Sequence, residues 1–327
     1  MSASLPKLRI GDLEPKLPII QGGMAVRISM APLAAAVANE GGVGVIGASG
    51  MGERELAGEI RSAKKLTDGI VGVNIMVAVR NFADLVKTAI ESRVDFITSG
   101  AGFSRDVFKW CEDAKVPFVP IVSSNKAAYL AEKLGAAAVV VEGKEAGGHL
   151  GTDKPLISIL PGIVEKLKIP VVAAGGIFRG KDMRKVFALG ASGVQIGTRF
   201  ALSTECSAAP AWKEVLIKAK PKGIILIKSP VGLPFRAVKT NFVKRLLASG
   251  GEMDLEEVCR GCLRDCNEYY CIIRGLELAQ EGDVENGLFT TGEKVTAIDD
   301  ILPVKEIIKN LISEFESAAA DDEVEKE

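Results

Sequence analysis

Residues 170–199 read PVVAAGGIFRGKDMRKVFALGASGVQIGTR. Two short apolar runs, Pro170 to Ala173 and Gly193 to Ile196, each precede a loop that contains glycine, and an amphipathic segment from Lys181 to Leu189 joins them. Apolar runs without polar alternation are typical of parallel strands that are covered on both faces. Gly190 stands where a left-handed helix cap would release the chain into the next strand. The stretch therefore predicts a strand–helix–strand unit of a parallel sheet.

The same pattern recurs upstream of this unit. Six further strands are predicted at Pro18–Gln21, Val43–Ile46, Ile70–Ile75, Val94–Thr98, Pro117–Val122 and Ala137–Val141. Helical patterns fill the intervals, at Ala31–Glu40, Arg54–Leu66, Phe82–Glu91 and Lys126–Leu134. Eight alternations of strand and helix favour a closed (β/α)8 TIM barrel of the α/β class. An open doubly wound sheet is the alternative, but it usually carries its phosphate-binding glycines after the first strand, whereas the strongest pair here follows the seventh.

The periodic pattern weakens after Ala201, which predicts a division into domains. Residues 1–205 form the predicted barrel, and residues 206–300 a smaller C-terminal capping domain that carries four cysteines. A helix at 301–319 is expected to pack back on the barrel. Residues 320–327 form an acidic tail that we expect to be disordered.

The charge of the chain is balanced, with 41 Lys plus Arg against 42 Asp plus Glu and a formal net charge of -1. Such a surface cannot neutralise a phosphate backbone, so we expect no nucleic-acid partner. The N-terminus lacks the pattern of a signal peptide, and no apolar run approaches the length of a membrane span. These observations predict a cytoplasmic protein without a membrane partner.

TIM-barrel enzymes carry their active sites at the C-terminal ends of the strands. Ala174, Gly175 and Gly176 follow the seventh predicted strand, and Gly197 and Thr198 follow the eighth. Residues without side chains let backbone N–H groups approach a phosphate closely. Each pair alone could simply form a tight turn, but both pairs together favour a phosphate site.

Polar and small residues also follow the remaining strands. The first is followed by Gly22, Gly23 and Met24, the third ends on Asn74, the fifth is followed by Ser123, and the sixth leads through Glu142 and Gly148 to His149. His149 is the single histidine of the chain. Any proton transfer by an imidazole near neutral pH must use it, so it is the candidate catalytic residue for a small-molecule substrate.

Five motifs together resemble the nitronate monooxygenase family, formerly the 2-nitropropane dioxygenases, to which flavin-type enoyl-acyl-carrier-protein reductases are related. They are QGGM at 21–24, GVNIM at 72–76, EGKEAGGHLG at 142–151, AAGGI at 173–177 and GVQIGTRF at 193–200. The resemblance implies FMN, with its phosphate on Gly175, Gly176, Gly197 and Thr198 and its ring near Gly22, Met24, Asn74 and His149. It also suggests Gln195 as a cofactor contact. Gly23, Ser123, Glu142, Gly148 and Ala174 are further candidate cofactor-binding residues.

The resemblance implies a flavin monooxygenase that converts alkyl nitronates and oxygen to carbonyl compounds and nitrite. His149 would orient the nitro group or take an α-proton. The alternatives are an NAD(P)H-dependent enoyl-thioester reductase, an anaerobic flavin and iron–sulfur oxidoreductase served by a redox protein donor, and a non-catalytic electron carrier. A homodimer is left open.

Four cysteines, Cys259, Cys262, Cys266 and Cys271, have the spacing C-x2-C-x3-C-x4-C. Thiolates this close in sequence can converge on one soft metal centre. Structural zinc sites usually pair two cysteine hairpins across a longer loop, so a [4Fe-4S] cluster is favoured over zinc. Unliganded or redox-active thiols are the third alternative.

Overall fold

The computed structural model describes residues 4–251, 259, 261–267 and 269–324, with side chains described as far as residue 318. Eight parallel strands form one sheet, in the order β1-β9-β8-β6-β5-β4-β3-β2. These strands are β1 (Ile19–Gln21), β2 (Gly44–Gly47), β3 (Val71–Asn74), β4 (Phe96–Ser99), β5 (Phe118–Val122), β6 (Val139–Glu142), β8 (Val171–Ala174) and β9 (Gly193–Ile196). All eight overlap the strands predicted from the sequence.

The first and last strands of this order close the sheet into a barrel. The Gln21 amide donates to the Val43 carbonyl, and the Val43 amide donates to the Ile19 carbonyl, both at 2.9 Å. The Gln21 side chain adds two hydrogen bonds to the backbone of Val45, with Oε1 accepting at 3.0 Å and Nε2 donating at 3.1 Å. A buried side-chain amide therefore reinforces the seam between β1 and β2, and the predicted TIM barrel is confirmed.

Alternate residues of the strands point into the barrel, where Ile20, Val45, Phe96, Val140 and Val172 belong to one apolar cluster. Gly72 provides the space that the Phe96 ring occupies, since a Cβ on Gly72 would lie 2.3 Å from that ring. The opposite faces pack against the surrounding helices in a larger cluster. A strand buried on both faces needs the continuous apolar runs seen in the sequence.

Twelve helices are described. They are α1 (Ala31–Asn39), α2 (Glu53–Leu66), α3 (Phe82–Glu91), α4 (Asp106–Ala114), α5 (Asn125–Lys133), α6 (Leu156–Val164), α7 (Gly180–Ala188), α8 (Thr198–Ala201), α9 (Pro210–Ile217), α10 (Asn241–Ala248), α11 (Ile272–Glu281) and α12 (Val304–Val324). Helix α12 packs on α7, where the Gly180 amide donates to the Glu314 carboxylate at 2.9 Å. Backbone of α12 continues to Val324, into the segment predicted as a disordered tail, and residues 325–327 lie outside the described residues.

A second sheet, called the small sheet below, has three antiparallel strands in the order β10-β11-β7. Strands β10 (Ile224–Lys228) and β11 (Pro234–Val238) form a hairpin, and β7 (Gly148–His149) pairs with β11. The sequence predicted a loop at Gly148 and His149. The structure instead holds both residues on a strand edge, because β11 supplies a backbone partner from much later in the chain.

Within the described ranges, none of the helices is both long and apolar enough to cross a membrane.

Candidate active site

A cavity opens at the C-terminal ends of the barrel strands, and most of the predicted site residues line it. They are Gly22, Gly23, Met24, Asn74, Glu142, Gly148, His149, Ala174, Gly175, Gln195, Gly197 and Thr198. The fold brings these residues together because the C-terminal ends of parallel strands meet on one face of a barrel.

Two predicted cofactor residues do not line this cavity. Ser123 lies against Gly151 instead, and its Oγ is 2.7 Å from where a Cβ on Gly151 would stand. Gly176 lies just behind the cavity wall, and its carbonyl accepts a hydrogen bond from Lys294 Nζ at 3.1 Å.

The two late loops have the backbone geometry of an anion site. Gly175 and Gly176 adopt φ values of +109° and +69°, which favour glycine. Within the described part of the chain, neither amide donates a hydrogen bond to another protein group. A phosphate would supply the acceptors that these N–H groups lack, and Lys294 brings a positive charge beside them.

The cavity also has unpaired polar atoms. Asn74 donates from Nδ2 to the Gly23 carbonyl at 3.1 Å, while its buried Oδ1 has no hydrogen-bond partner among the described residues. Thr291, which also lines the cavity, has a buried Oγ1 without a partner there. Buried polar atoms without partners are costly. A ligand with both hydrogen-bond donors and a phosphate, such as FMN, fits these residues.

His149 is held from the small sheet. Its Nε2 lies 2.7 Å from Ser229 Oγ, and that oxygen also accepts a hydrogen bond from the Val231 amide at 3.3 Å. The imidazole packs edge-on against the Phe235 ring, with 4.8 Å between the ring centroids. Ser229 can thus accept from Val231 and donate to Nε2, which leaves the proton of a neutral ring on Nδ1.

Burial disfavours charge in this cavity. It lowers the pKa of His149 to about 4 and raises the pKa of Glu142 to about 8. Burial thus favours the uncharged form of each side chain. Among the described residues that line the cavity, none is Lys or Arg, and the positive charge of Lys294 lies beside the glycine loop rather than in the lining.

The sequence did not identify the contacts of two residues at this site. Ser229 contacts the imidazole of His149, whereas Glu145, in the same motif as His149, accepts from the Leu156 amide at 3.0 Å. Lys294 reaches Gly176 from a loop near the end of the chain. Both contacts depend on pairings between distant parts of the chain.

Arg199, which follows Thr198, points away from the phosphate loop. It forms an ion pair with Asp300 and donates from Nη2 to the Asp300 carbonyl at 2.9 Å. The Thr198 hydroxyl accepts from the Gly292 amide at 2.9 Å. The loop after β9 is therefore tied to the segment that carries Thr291 and Lys294.

The four predicted metal ligands line a second pocket, together with Arg80, Arg264 and Ile272. All four cysteines are free of disulfides. In the described part of the chain, no three Cys, His, Asp or Glu side chains are already arranged to hold a metal ion.

The family model for nitronate monooxygenase matches residues 8–93 and 78–314. A Mycobacterium tuberculosis protein, (3aS,4S,5R,7aS)-5-hydroxy-7a-methyl-1-oxo-octahydro-1H-indene-4-carboxyl-CoA dehydrogenase, is 27% identical and covers 90% of this chain and 92% of its own length. A probable nitronate monooxygenase of Staphylococcus aureus is 32% identical, over 72% of this chain and 79% of its own.

Among solved structures, FabK from Thermotoga maritima is 35% identical and superposes with a TM-score of 0.84 over 94% of this chain and 95% of its own. With a family match over most of its length, this chain is an oxidoreductase that belongs to the nitronate monooxygenase family.

Proposed function

We propose that this protein is an FMN-dependent oxidoreductase that reduces the carbon–carbon double bond of an enoyl thioester. The observation that carries the proposal is the lining of the cavity, which includes no Lys or Arg among the described residues, while burial favours the uncharged forms of His149 and Glu142. An enoyl thioester is neutral at its reacting end, so it enters such a cavity without leaving a charge unpaired.

The cavity wall also suits an acyl chain. Residues 206–300, the predicted capping domain, contribute Trp212, Leu216, Phe235, Ile272, Ile273 and Leu276 to its apolar lining, beside Val26, Ile28, Met76 and Ile121 of the barrel. We infer that this part of the chain covers and selects the substrate while residues 1–205 hold the flavin.

FMN, when bound, supplies the carrier that takes two electrons from NAD(P)H and passes them to the substrate. The amides of Gly175 and Gly176, with Lys294 behind them, would hold its phosphate. Asn74 and Thr291 would satisfy their unpaired oxygens on its polar groups. These are the residues that we propose as the FMN site, with Gly22, Gly23, Met24, Glu142, Gly148, Ala174, Gln195, Gly197 and Thr198 around them.

His149 acts on the substrate carbonyl in this proposal. Ser229 occupies Nε2, so Nδ1–H is left to donate a hydrogen bond to the thioester oxygen, where negative charge develops as the β-carbon is reduced. A neutral imidazole with a pKa of about 4 suits a hydrogen-bond donor better than a base. The α-proton would come from solvent.

Oxidation of alkyl nitronates is the second candidate, and the match to the family model and to the Staphylococcus aureus relatives favours it. A nitronate is an anion, however, and burial beside uncharged side chains would cost it desolvation without a salt bridge in return. A neutral nitroalkane would need a base, and a pKa of about 4 makes His149 a weak one.

The homodimer and the redox protein donor that the sequence left open stay predictions.

The test compares two substrates on the FMN-loaded protein. We expect NAD(P)H oxidation that depends on a crotonyl or longer enoyl thioester, and little oxygen uptake with ethyl nitronate. His149→Ala should keep its FMN and lose about 10²-fold or more in kcat/KM, because one donor to the developing oxyanion is removed. Rapid nitronate oxidation without thioester turnover would overturn the proposal in favour of the second candidate.

A further inference from the structure

The second pocket, defined by Cys259, Cys262, Cys266 and Cys271, is separate from the chemistry proposed above. Its other lining includes Arg80 and Arg264, and its volume is about 180 Å³.

Two of the four thiols already meet. The side chains of Cys262 and Cys271 contact one another, and Cys266 lies near Cys262. This contact joins two residues that are nine positions apart in the sequence, so the chain folds back on itself at the pocket.

Two of the cysteines stand on a fixed framework. The Arg80 amide donates to the Cys262 carbonyl and the Arg264 amide donates to the Ala78 carbonyl, both at 2.9 Å, so Val79 and Leu263 form an antiparallel bridge. Cys271 is the N-cap residue of α11. Before it, buried Tyr270 donates to the Lys228 carbonyl at 3.0 Å. The barrel and the small sheet thus position ligands from both ends of the motif.

The charges around the pocket agree with an anionic centre. A cluster with four thiolate ligands carries net negative charge, and Arg80 and Arg264 line the same pocket. The Arg264 guanidinium also stacks over the Phe82 ring at 5.4 Å, which fixes that cation on α3. Basic side chains beside a cysteine-lined pocket favour a metal–thiolate centre over reduced, unliganded thiols.

We propose that Cys259, Cys262, Cys266 and Cys271 bind a [4Fe-4S] cluster in this pocket. Thiolates are the ligands of such clusters, and a single compact run of cysteines is typical of them, whereas structural zinc usually takes two separated hairpins. Ile272 lines this pocket and the barrel cavity alike, so the cluster would stand one side chain away from the substrate cavity.

The test is metal and sulfide analysis of the full chain purified without oxygen and reconstituted with iron and sulfide. We expect about four iron and four sulfide per chain, with visible absorption that bleaches under dithionite. Cys262→Ser and Cys271→Ser should each lose most of the iron, while Cys111→Ser, a buried thiol elsewhere, should keep it. Bound FMN and the far-ultraviolet circular dichroism of each variant report whether it has folded.

Three results would overturn the proposal. Zinc in place of iron would assign the pocket to a different metal. Iron that persists in both serine variants would show that the metal binds at another site. A metal-free protein that loses two titratable thiols in air would assign Cys262 and Cys271 to a redox disulfide. None of these results depends on FMN binding or on the substrate, so the proposed function stands or falls separately.

Discussion

The barrel cavity and the cysteine pocket share the side chain of Ile272 but are built in opposite ways. The barrel cavity gathers residues from strand ends spread over most of the chain, and its backbone is fixed by the parallel ladder. The cysteine pocket gathers its ligands from thirteen consecutive positions, 259–271, that contain no helix or strand among their described residues. A cavity of the first kind is formed before any ligand arrives, whereas ligands of the second kind are arranged with the help of the metal.

The largest effect should come from crowding the barrel cavity. A Cβ on Gly23 would lie 2.2 Å from Asn74 Cβ and 2.9 Å from Val45 Cγ1. Gly23→Ala must therefore displace Asn74, and we expect purified protein without bound FMN but with its cysteine-bound metal intact. Gly52→Ala is the control, because a Cβ there meets nothing within 4 Å. Normal FMN content in Gly23→Ala would show that the cavity is less rigid than the comparison requires.

Removing the shared side chain should weaken the fold. Ile272 is 2% exposed, so Ile272→Ala should lower the free energy of unfolding by about 2–5 kcal/mol, the range for large-to-small changes in a core. Ile157→Ala, at a position that is 61% exposed, should change it by no more than about 0.5 kcal/mol. Urea denaturation measures both. Equal stability of the two variants would mean that Ile272 does not separate two packed sites.

The pH dependence of stability should reveal the low polarity of the barrel cavity. The raised pKa of Glu142, about 8, keeps its carboxyl protonated in the folded chain while the unfolded chain ionises above about 4.5. Its contribution to stability therefore falls as the pH rises from about 4.5 to 8. His149, with a lowered pKa of about 4, contributes in the opposite direction between about 4 and 6.5.

Glu142→Gln removes the first of these contributions. We expect the variant to gain stability relative to the natural chain as the pH is raised from 5 to 8, measured by urea denaturation at each pH. A difference that stays constant over this range would contradict the burial of the carboxyl.

A smaller effect should follow from the support of the imidazole. Ser229→Ala removes a hydrogen bond to His149 Nε2, and a bond of this kind is worth roughly 1 kcal/mol, so kcat should fall about fivefold. FMN content and thermal stability should change little. Ser123→Ala, whose side chain lies outside the cavity, should leave kcat unchanged. Equal kcat of the two variants would show that Ser229 does not support the imidazole of His149.

Much of this architecture could be predicted from the sequence, because both periodicity and motif position are local properties. The eight barrel strands follow from apolar runs, and residues at their C-terminal ends reach the cavity as the barrel requires. Helices α4 and α6 lie in intervals where the alternation predicts a helix, but their bounds were not given from the sequence. Helix α6 contains Pro161 and is apolar on most sides, so its helical period is weak.

What could not be predicted depends on contacts between distant segments. Ser229 meets His149 only because β7 pairs with β11, and Lys294 meets Gly176 only because the chain returns to the barrel. The cysteine spacing could be recognised, but spacing does not tell how far apart the sulfur atoms lie. Local patterns identify ligands, while tertiary pairing decides their partners.

The pairing of β7 with β11 has one further consequence. His149 belongs to the barrel sequence but is held by the small sheet, whereas the glycines that would cradle phosphate belong to the barrel alone. Substitutions in β10 and β11 can therefore change the orientation of the imidazole without changing these glycines. We therefore expect that changes in the small sheet can alter the reaction while the barrel is kept, and two relatives of this chain carry names for different activities.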